Sequence, residues 1–211
     1  MKHVFPKLRG FTLIELLVVI TIITILAGLT ISTMSYAQNS AGRNRAKAEV
    51  NALSLAIESY KIDNGDYPRD ANTDALNAVA EVAKCSPGPN TDALTSAGVY
   101  NLASLALYKA LSGDTDCNRV LDATEKTAGG RVYFPFKPGM LYPRQPVGST
   151  ATVQAIIDPF KNVYGYSTKN LADVQANAPT PGGYNPTFDL WSTADHDQKG
   201  LTPAAAWITN W

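Results

Sequence analysis

The acidic segment DTDCNRVLDATE, Asp114 to Glu125, places Asp114, Asp116 and Asn118 at positions 1, 3 and 5 of a twelve-residue frame. Val120 then offers a backbone carbonyl at position 7, Asp122 falls at 9 and Glu125 at 12. Hard oxygen ligands at alternating positions suit Ca2+, which accepts roughly six to eight oxygens in a flexible geometry. Two features depart from that frame. Arg119 stands at position 6, where glycine normally makes the sharp turn, and no strong apolar helix follows Glu125. A solvated acidic turn held by Asx hydrogen bonds is the alternative. A second loop, TADHDQKG, carries Asp195 and Asp197 around His196. A histidine between two acids in a loop is more often a polar turn than a general base. The chain has no Gly-x-Ser-x-Gly elbow, phosphate loop, dinucleotide fingerprint or Cys/His cluster, so the sequence points away from an enzyme.

The remaining chemical feature is a carboxylate in an unusual place. Between Phe11 and Ala37 the only charge is Glu15, and the run is otherwise Leu, Ile, Val, Thr and Ala with a few other uncharged residues. About 20 apolar residues cross a bilayer as a helix. Lys2, Lys7 and Arg9 precede the run and hold that end in the cytoplasm by the positive-inside rule. An ordinary secretory signal is one reading, with a cut near Ser35-Tyr36-Ala37, but its apolar region spans only about 7–15 residues. A plain membrane anchor is another, and it leaves the cost of Glu15 in hydrocarbon unexplained. A cut between Gly10 and Phe11 is the third. It creates an amine on Phe11 one helical turn from Glu15 and so supplies the carboxylate with a positive partner, on its own chain or a neighbour's.

The elements that position these groups follow from periodicity. Ala46, Val50, Leu53, Ile57 and Tyr60 recur at spacings of four and three, an amphipathic stripe that Asn64-Gly65 and Pro68 terminate. Nothing between Phe11 and Asp63 demands a break, so one helix of about 50 residues, ~75–80 Å long, is predicted. Further helices are predicted over Asp74–Cys85 and Val99–Gly113. Short strands are predicted at Val132–Phe134, Val153–Ile157, Val163–Ser167 and Phe188–Trp191. The fold class is therefore α+β, a long helix packed on a small antiparallel sheet with extra helices and loops.

Several stretches carry a family likeness. The basic leader followed by Gly10-Phe11-Thr12-Leu13-Ile14-Glu15 and an apolar run resembles the prepilin signal of the type IV pilin superfamily. AIESYKIDNGDYP resembles the end of the long helix in the major pseudopilin of type II secretion systems. DPFKNVYGYS and the tail FDLWSTAD…TNW are similar to later parts of the same proteins. The resemblance implies cleavage between Gly10 and Phe11 by prepilin peptidase, methylation of the Phe11 amine, and alignment of incoming subunits by Glu15 and Phe11. It also implies a helical homopolymer with minor pseudopilins and an inner-membrane assembly platform as partners. That polymer would push folded cargo outward, powered by a cytoplasmic ATPase. A surface type IV pilus, for adhesion, twitching or DNA uptake, is the alternative that the long middle insertion favours. In major pseudopilins the loop corresponding to Thr193–Gly200 binds calcium. Here Asp195 keeps the first place, but Ala204-Ala205-Ala206 replace later acids, leaving Asp197 to compensate.

On this reading residues 1–10 are a leader and 11–37 the membrane and filament-core segment. Residues 38–65 are the amphipathic half, and 66–211 a periplasmic head with an insertion over about 69–152. The whole chain balances 18 basic against 18 acidic residues; removing Lys2, Lys7 and Arg9 leaves 15 against 18. That mild acidity argues against nucleic acid as a partner. Export also makes a Cys85–Cys117 disulfide the natural reading, with two buried thiols as the alternative. Trp191, Trp207 and Trp211 read as core or subunit contacts.

Overall fold

The computed structural model describes residues 11–84, 98–144, 151–194 and 207–211, without the side chains of 30–33, 35, 83 and 84. Two compact units divide the chain, Met1–Ala41 and Gly42–Trp211. Helix α1, Leu13–Asn64, is continuous over 52 residues, as the absence of any proline or other breaker predicts. Its end is set by Gly65, at φ 83°, whose N–H bonds the Lys61 carbonyl at 2.8 Å. Only a residue without Cβ adopts that left-handed cap at little cost.

Within the first unit every described side chain from Phe11 to Leu29 is exposed. The two threonines of this stretch past the first turn do not present free hydroxyls. Thr21 donates to the Leu17 carbonyl and Thr24 to the Ile20 carbonyl, both at 2.7 Å. Among the described residues no helix is long and apolar enough to cross a membrane. The stretch whose side chains are described without a gap, Leu13 to Leu29, spans ~25 Å at 1.5 Å per residue, somewhat short of a ~30 Å hydrocarbon core.

The second unit holds the core. On its part of α1, Ala46, Val50, Leu53 and Ile57 are buried and Tyr60 packs partly buried against them, the stripe read from the sequence. Helix α2 spans Ala71–Ala75, α3 Ala78–Lys84 and α4 Val99–Ser112. Helix α5 spans Ala123–Thr127 and α6 Lys169–Gln175. α4 buries Tyr100, Ala103, Ser104, Leu107, Tyr108 and Leu111, one face at helical spacing. Among the described residues two small antiparallel sheets complete the fold. β1 (Leu141–Tyr142) pairs with β2 (Ala155–Ile156), with Leu141 opposite Ile156. β3 (Gly165–Ser167), β4 (Asp189–Ser192) and β5 (Ile208–Thr209) form the other sheet, in that order. The main cluster joins the α1 stripe to Leu107, Leu111, Ile156, Tyr164, Tyr166 and Leu190.

Two predicted elements differ. The segment Val132–Phe134 is no strand, because the N–H groups of Tyr133 and Phe134 both bond the Leu111 carbonyl, at 2.8 and 3.0 Å. The end of α4 thus takes the donors that a sheet partner needs. The single helix predicted over Asp74–Cys85 is two helices. Asp70 and Thr73 form a capping box that starts α2 early, Leu76 ends it in an extended conformation, and Asn77 caps α3 through its side chain.

Gly165 faces Trp191 across the sheet so closely that an added Cβ would lie 2.0 Å from the indole. Trp191 is fully buried and has no room to retreat. Every buried described residue lies at Ala46 or beyond, so a chain cut to Gly42–Trp211 keeps the described core. In that chain Gly165→Ala is expected to cost about 3 kcal/mol by overpacking, read by urea denaturation.

Candidate functional site

The loop after α4 is built by one buried carboxylate. Gly113 ends the helix in the left-handed region, φ 74°, and turns the chain so that Asp114 points inward, 2% exposed. Asp114 accepts the N–H of Asn118 at 3.1 Å, the N–H of Arg119 at 2.6 Å and the hydroxyl of Tyr108 at 2.5 Å. These bonds wrap residues 114–119 around the carboxylate. Arg119 sits at φ 73°, so the turn that position 6 demands forms without glycine.

What holds a large residue there is its side chain. The Arg119 guanidinium donates to the Ala151 carbonyl at 2.8 Å and the Pro143 carbonyl at 2.7 Å. The departure from the twelve-residue frame is thus a tie to a distant segment. No signal in the local sequence marks it.

Carboxylate oxygens of Asp114, Asp116 and Glu125 lie within 4.8 Å of one another. Glu125 accepts from the Thr115 N–H at 2.6 Å, the Thr115 hydroxyl at 2.9 Å and the Asp116 N–H at 3.3 Å. Its burial opposes ionisation, but the N–H groups of Asp122, Thr115 and Asp116 outweigh that and hold its pKa below the usual glutamate range. Burial is also the largest influence on Asp114 and pushes it up, against the pull of Tyr108 and the two N–H groups. Asp122 instead caps α5 and exchanges hydrogen bonds with Glu125 in a capping box. Asn118 accepts from the Val120 N–H through its side-chain oxygen at 2.8 Å. The structure therefore brings three of the predicted ligands together and gives Asp122 a helix-capping role. Cys117 is buried and has no disulfide partner among the described residues. Cys85, Asp195, Asp197 and Gly10 lie outside the described residues.

At the other end of the chain, Thr12 and Glu15 form a capping arrangement at the start of α1. The Glu15 carboxylate accepts the Thr12 N–H at 2.9 Å and the Thr12 hydroxyl at 2.8 Å. The spacing Thr-x-x-Glu is itself a helix-start signature, so part of the reason for a carboxylate here is local. Phe11, one residue earlier, is exposed.

Sequence reasoning missed the network behind DPFKNVYGYS. Asp158, 1% exposed, accepts the N–H groups of Phe160 at 2.9 Å and Asn162 at 2.8 Å, and the Ser192 hydroxyl at 2.6 Å. Asn162 in turn donates to the Ala194 carbonyl at 2.7 Å. The turn is thereby fastened to the residues leaving β4, immediately before Asp195.

With that geometry in view, comparison with known proteins gives the class first. Residues 6–31 match the prokaryotic N-terminal methylation motif, so the chain opens as a prepilin-type protein does. Residues 33–93 match the type II secretion system protein G family. The type II secretion system core protein G of Escherichia coli (strain K12) is 36% identical over 81 residues, 38% of this chain and 54% of that protein. The Klebsiella michiganensis protein of the same name is 42% identical over 60 residues, 28% of this chain and 42% of that one. The Pseudomonas aeruginosa protein is 35% identical over 80 residues, covering 38% and 55%. The chain spans about half the length of the curated relatives it matches. No solved structure matches it. The resemblance to the type IV pilin superfamily, and within it to the major pseudopilin of type II secretion, is the one that these matches return.

Burial is the main cause that raises Asp158 from the ordinary aspartate value of 3.8 to about 6, against the pull of Ser192, Asn162 and Phe160. The fold favours the protonated form, so its stabilisation is complete below pH ~4 and is lost as pH rises through ~6. Asp158→Asn keeps both N–H bonds and stays neutral. Relative to the natural chain it is expected to gain up to ~3 kcal/mol between pH 4 and 7.5 in urea denaturation of residues 42–211. A difference that is flat with pH would exclude the assignment.

Proposed function

We propose that this chain is a structural subunit of a type II secretion pseudopilus. Prepilin peptidase cuts between Gly10 and Phe11, the Phe11 amine is methylated, and the subunits polymerise into a helical filament. Growth of that filament drives export of folded proteins across the outer membrane. One observation carries the reading: a methylation motif at residues 6–31 runs directly into a protein G match at 33–93. Helix α1 overlaps both matches and leaves its apolar first stretch without protein cover. Such a stretch requires lipid or other copies of itself as its surroundings. The chain therefore sits in the bacterial inner membrane as a single pass with its head in the periplasm. Minor pseudopilins and the inner-membrane assembly platform are its further partners. Its role is structural and not catalytic.

In this reading Glu15 keeps the capping bonds to Thr12 and adds the amine created one turn away, on its own Phe11 or on the preceding subunit's. The acidic loop is proposed to bind Ca2+ through Asp114, Asp116 and Glu125, with Asn118 and Val120 adding neutral oxygens. The left-handed turn at Arg119 and the convergence of three carboxylates support it. Asp195 and Asp197 form a second, smaller oxygen set. In the oxidising periplasm Cys117 pairs with Cys85.

The N-terminal peptide of protein taken from its native membrane is expected to begin at N-methylated Phe11 by mass spectrometry. A peptide beginning near Gln38 would remove Glu15 and end the filament reading. For the metal, Ca2+ at 100 times its dissociation constant is expected to stabilise residues 42–211 by about 2.7 kcal/mol. Asp116→Asn is expected to abolish most of that gain while changing calcium-free stability by no more than about 0.5 kcal/mol, because Asp116 is exposed. Calorimetric scans with calcium and with chelator check both.

A further inference from the structure

The insertion carries a preformed apolar pocket that the chain itself does not fill. Phe134, Pro135, Phe136, Pro138 and Leu141 form one wall of a cavity of about 170 Å³, which Ser112 and Asp114 also line. Its rings are locked against one another: Phe134 and Phe136 meet edge-on at 4.8 Å, and Phe136 lies 5.1 Å from Tyr108. A cavity of this size holds a group about as large as benzene, which is also the scale of one branched aliphatic side chain. Arg119 lines the same cavity; its Nε is buried and has no partner among the described residues. Beside the pocket, Lys137 is exposed and lines an adjoining groove with Phe134 and Pro135.

The complementary shape is on the same chain. On the part of α1 that belongs to the head, Leu55 and Ile62 are 71% and 81% exposed. Seven residues apart, they stand on one face of the helix. Glu58 lies between them, Lys61 precedes Ile62, and Asp63 after it is already paired with Arg131. The stripe carries an exposed acid, Glu58, at its centre and the pocket an exposed base, Lys137, at its edge, so the two faces offer one pair of opposite charges.

We propose that the Leu55–Ile62 stripe of one copy docks into the Phe134–Leu141 pocket of the next. Ile62 fills the cavity, and Glu58 faces Lys137. The two surfaces are different, so the contact is head-to-tail and repeats without closing, as a helical polymer requires. A second copy is the occupant because one chain carries both halves of the match, and a filament presents them to each other at high effective concentration. This inference rests on the filament reading and specifies the contact that the insertion adds to it.

The test uses the full chain in its native membrane, with a photoreactive phenylalanine analogue in place of Ile62. Irradiation of assembled filaments is expected to join that position to the peptide around Val132–Leu141 of another copy. Glu58→Lys and Lys137→Glu are each expected to lower the cross-link yield about threefold to tenfold, and the double variant to restore it. Filaments that form normally while the cross-link maps elsewhere on the chain, or onto a different protein, overturn the docking and leave the filament reading intact. So do filaments in which neither charge reversal changes the yield. A natural chain that forms no filament at all overturns both.

Discussion

One constraint governs this molecule: a single helix must satisfy two different surroundings. From Ala46 to Tyr60 its apolar residues keep to one stripe and are covered by the head. From Phe11 to Leu29 they occupy all sides, and every described side chain there is exposed. The hydrophobic effect acts on both stretches with equal force per unit area. In the first case the chain supplies its own cover, and in the second the cover must come from outside. Everything proposed about membranes and polymers follows from that difference, and α1 carries part of both the methylation motif and the protein G match.

The head shows how a small fold without extended sheets stays ordered. Its strands are two to four residues long, so ladder hydrogen bonds are few. Buried carboxylates fix the loops instead. Asp114 gathers the turn after α4, Asp158 fastens its turn to β4, and Asp189 accepts the N–H groups of Tyr184 and Asn185 at 2.9 and 2.8 Å. Each is pushed upward in pKa by its burial and pulled back by the N–H and hydroxyl groups it collects. This exchange, one carboxylate for several otherwise unpaired donors, suits a domain whose loops outweigh its sheets.

The sequence made the helices legible where one face is buried continuously. The stripe on α1 and the buried face of α4 appear at their expected spacings, because 3.6-residue periodicity is a local property. Val132–Phe134 shows the limit. Its composition suits a strand, but the Leu111 carbonyl captures its donors from outside the segment. The break near Leu76 was foreshadowed by Asp70 and Thr73, whose capping box starts a helix earlier than apolar spacing suggests. At the candidate site, the alternating acids were visible by counting. The role of Arg119 was not, since the carbonyls it holds belong to Pro143 and Ala151. The Asp158–Ser192 bond is invisible for the same reason: its partners are 34 residues apart and neither is unusual alone.

The inward-bonded threonines of the exposed stretch have a consequence for its contacts with other chains. Thr21 and Thr24 satisfy their hydroxyls on the carbonyls one turn back and ask nothing of their surroundings. From Leu16 to Leu29 these two hydroxyls therefore need no new partner when the surroundings change from lipid to like helices. The two states then differ only in packing, which changes gradually as contact is made or lost. Past its first turn this described stretch therefore offers neighbours packing alone, and any polar tie to another chain is left to Glu15 at its start.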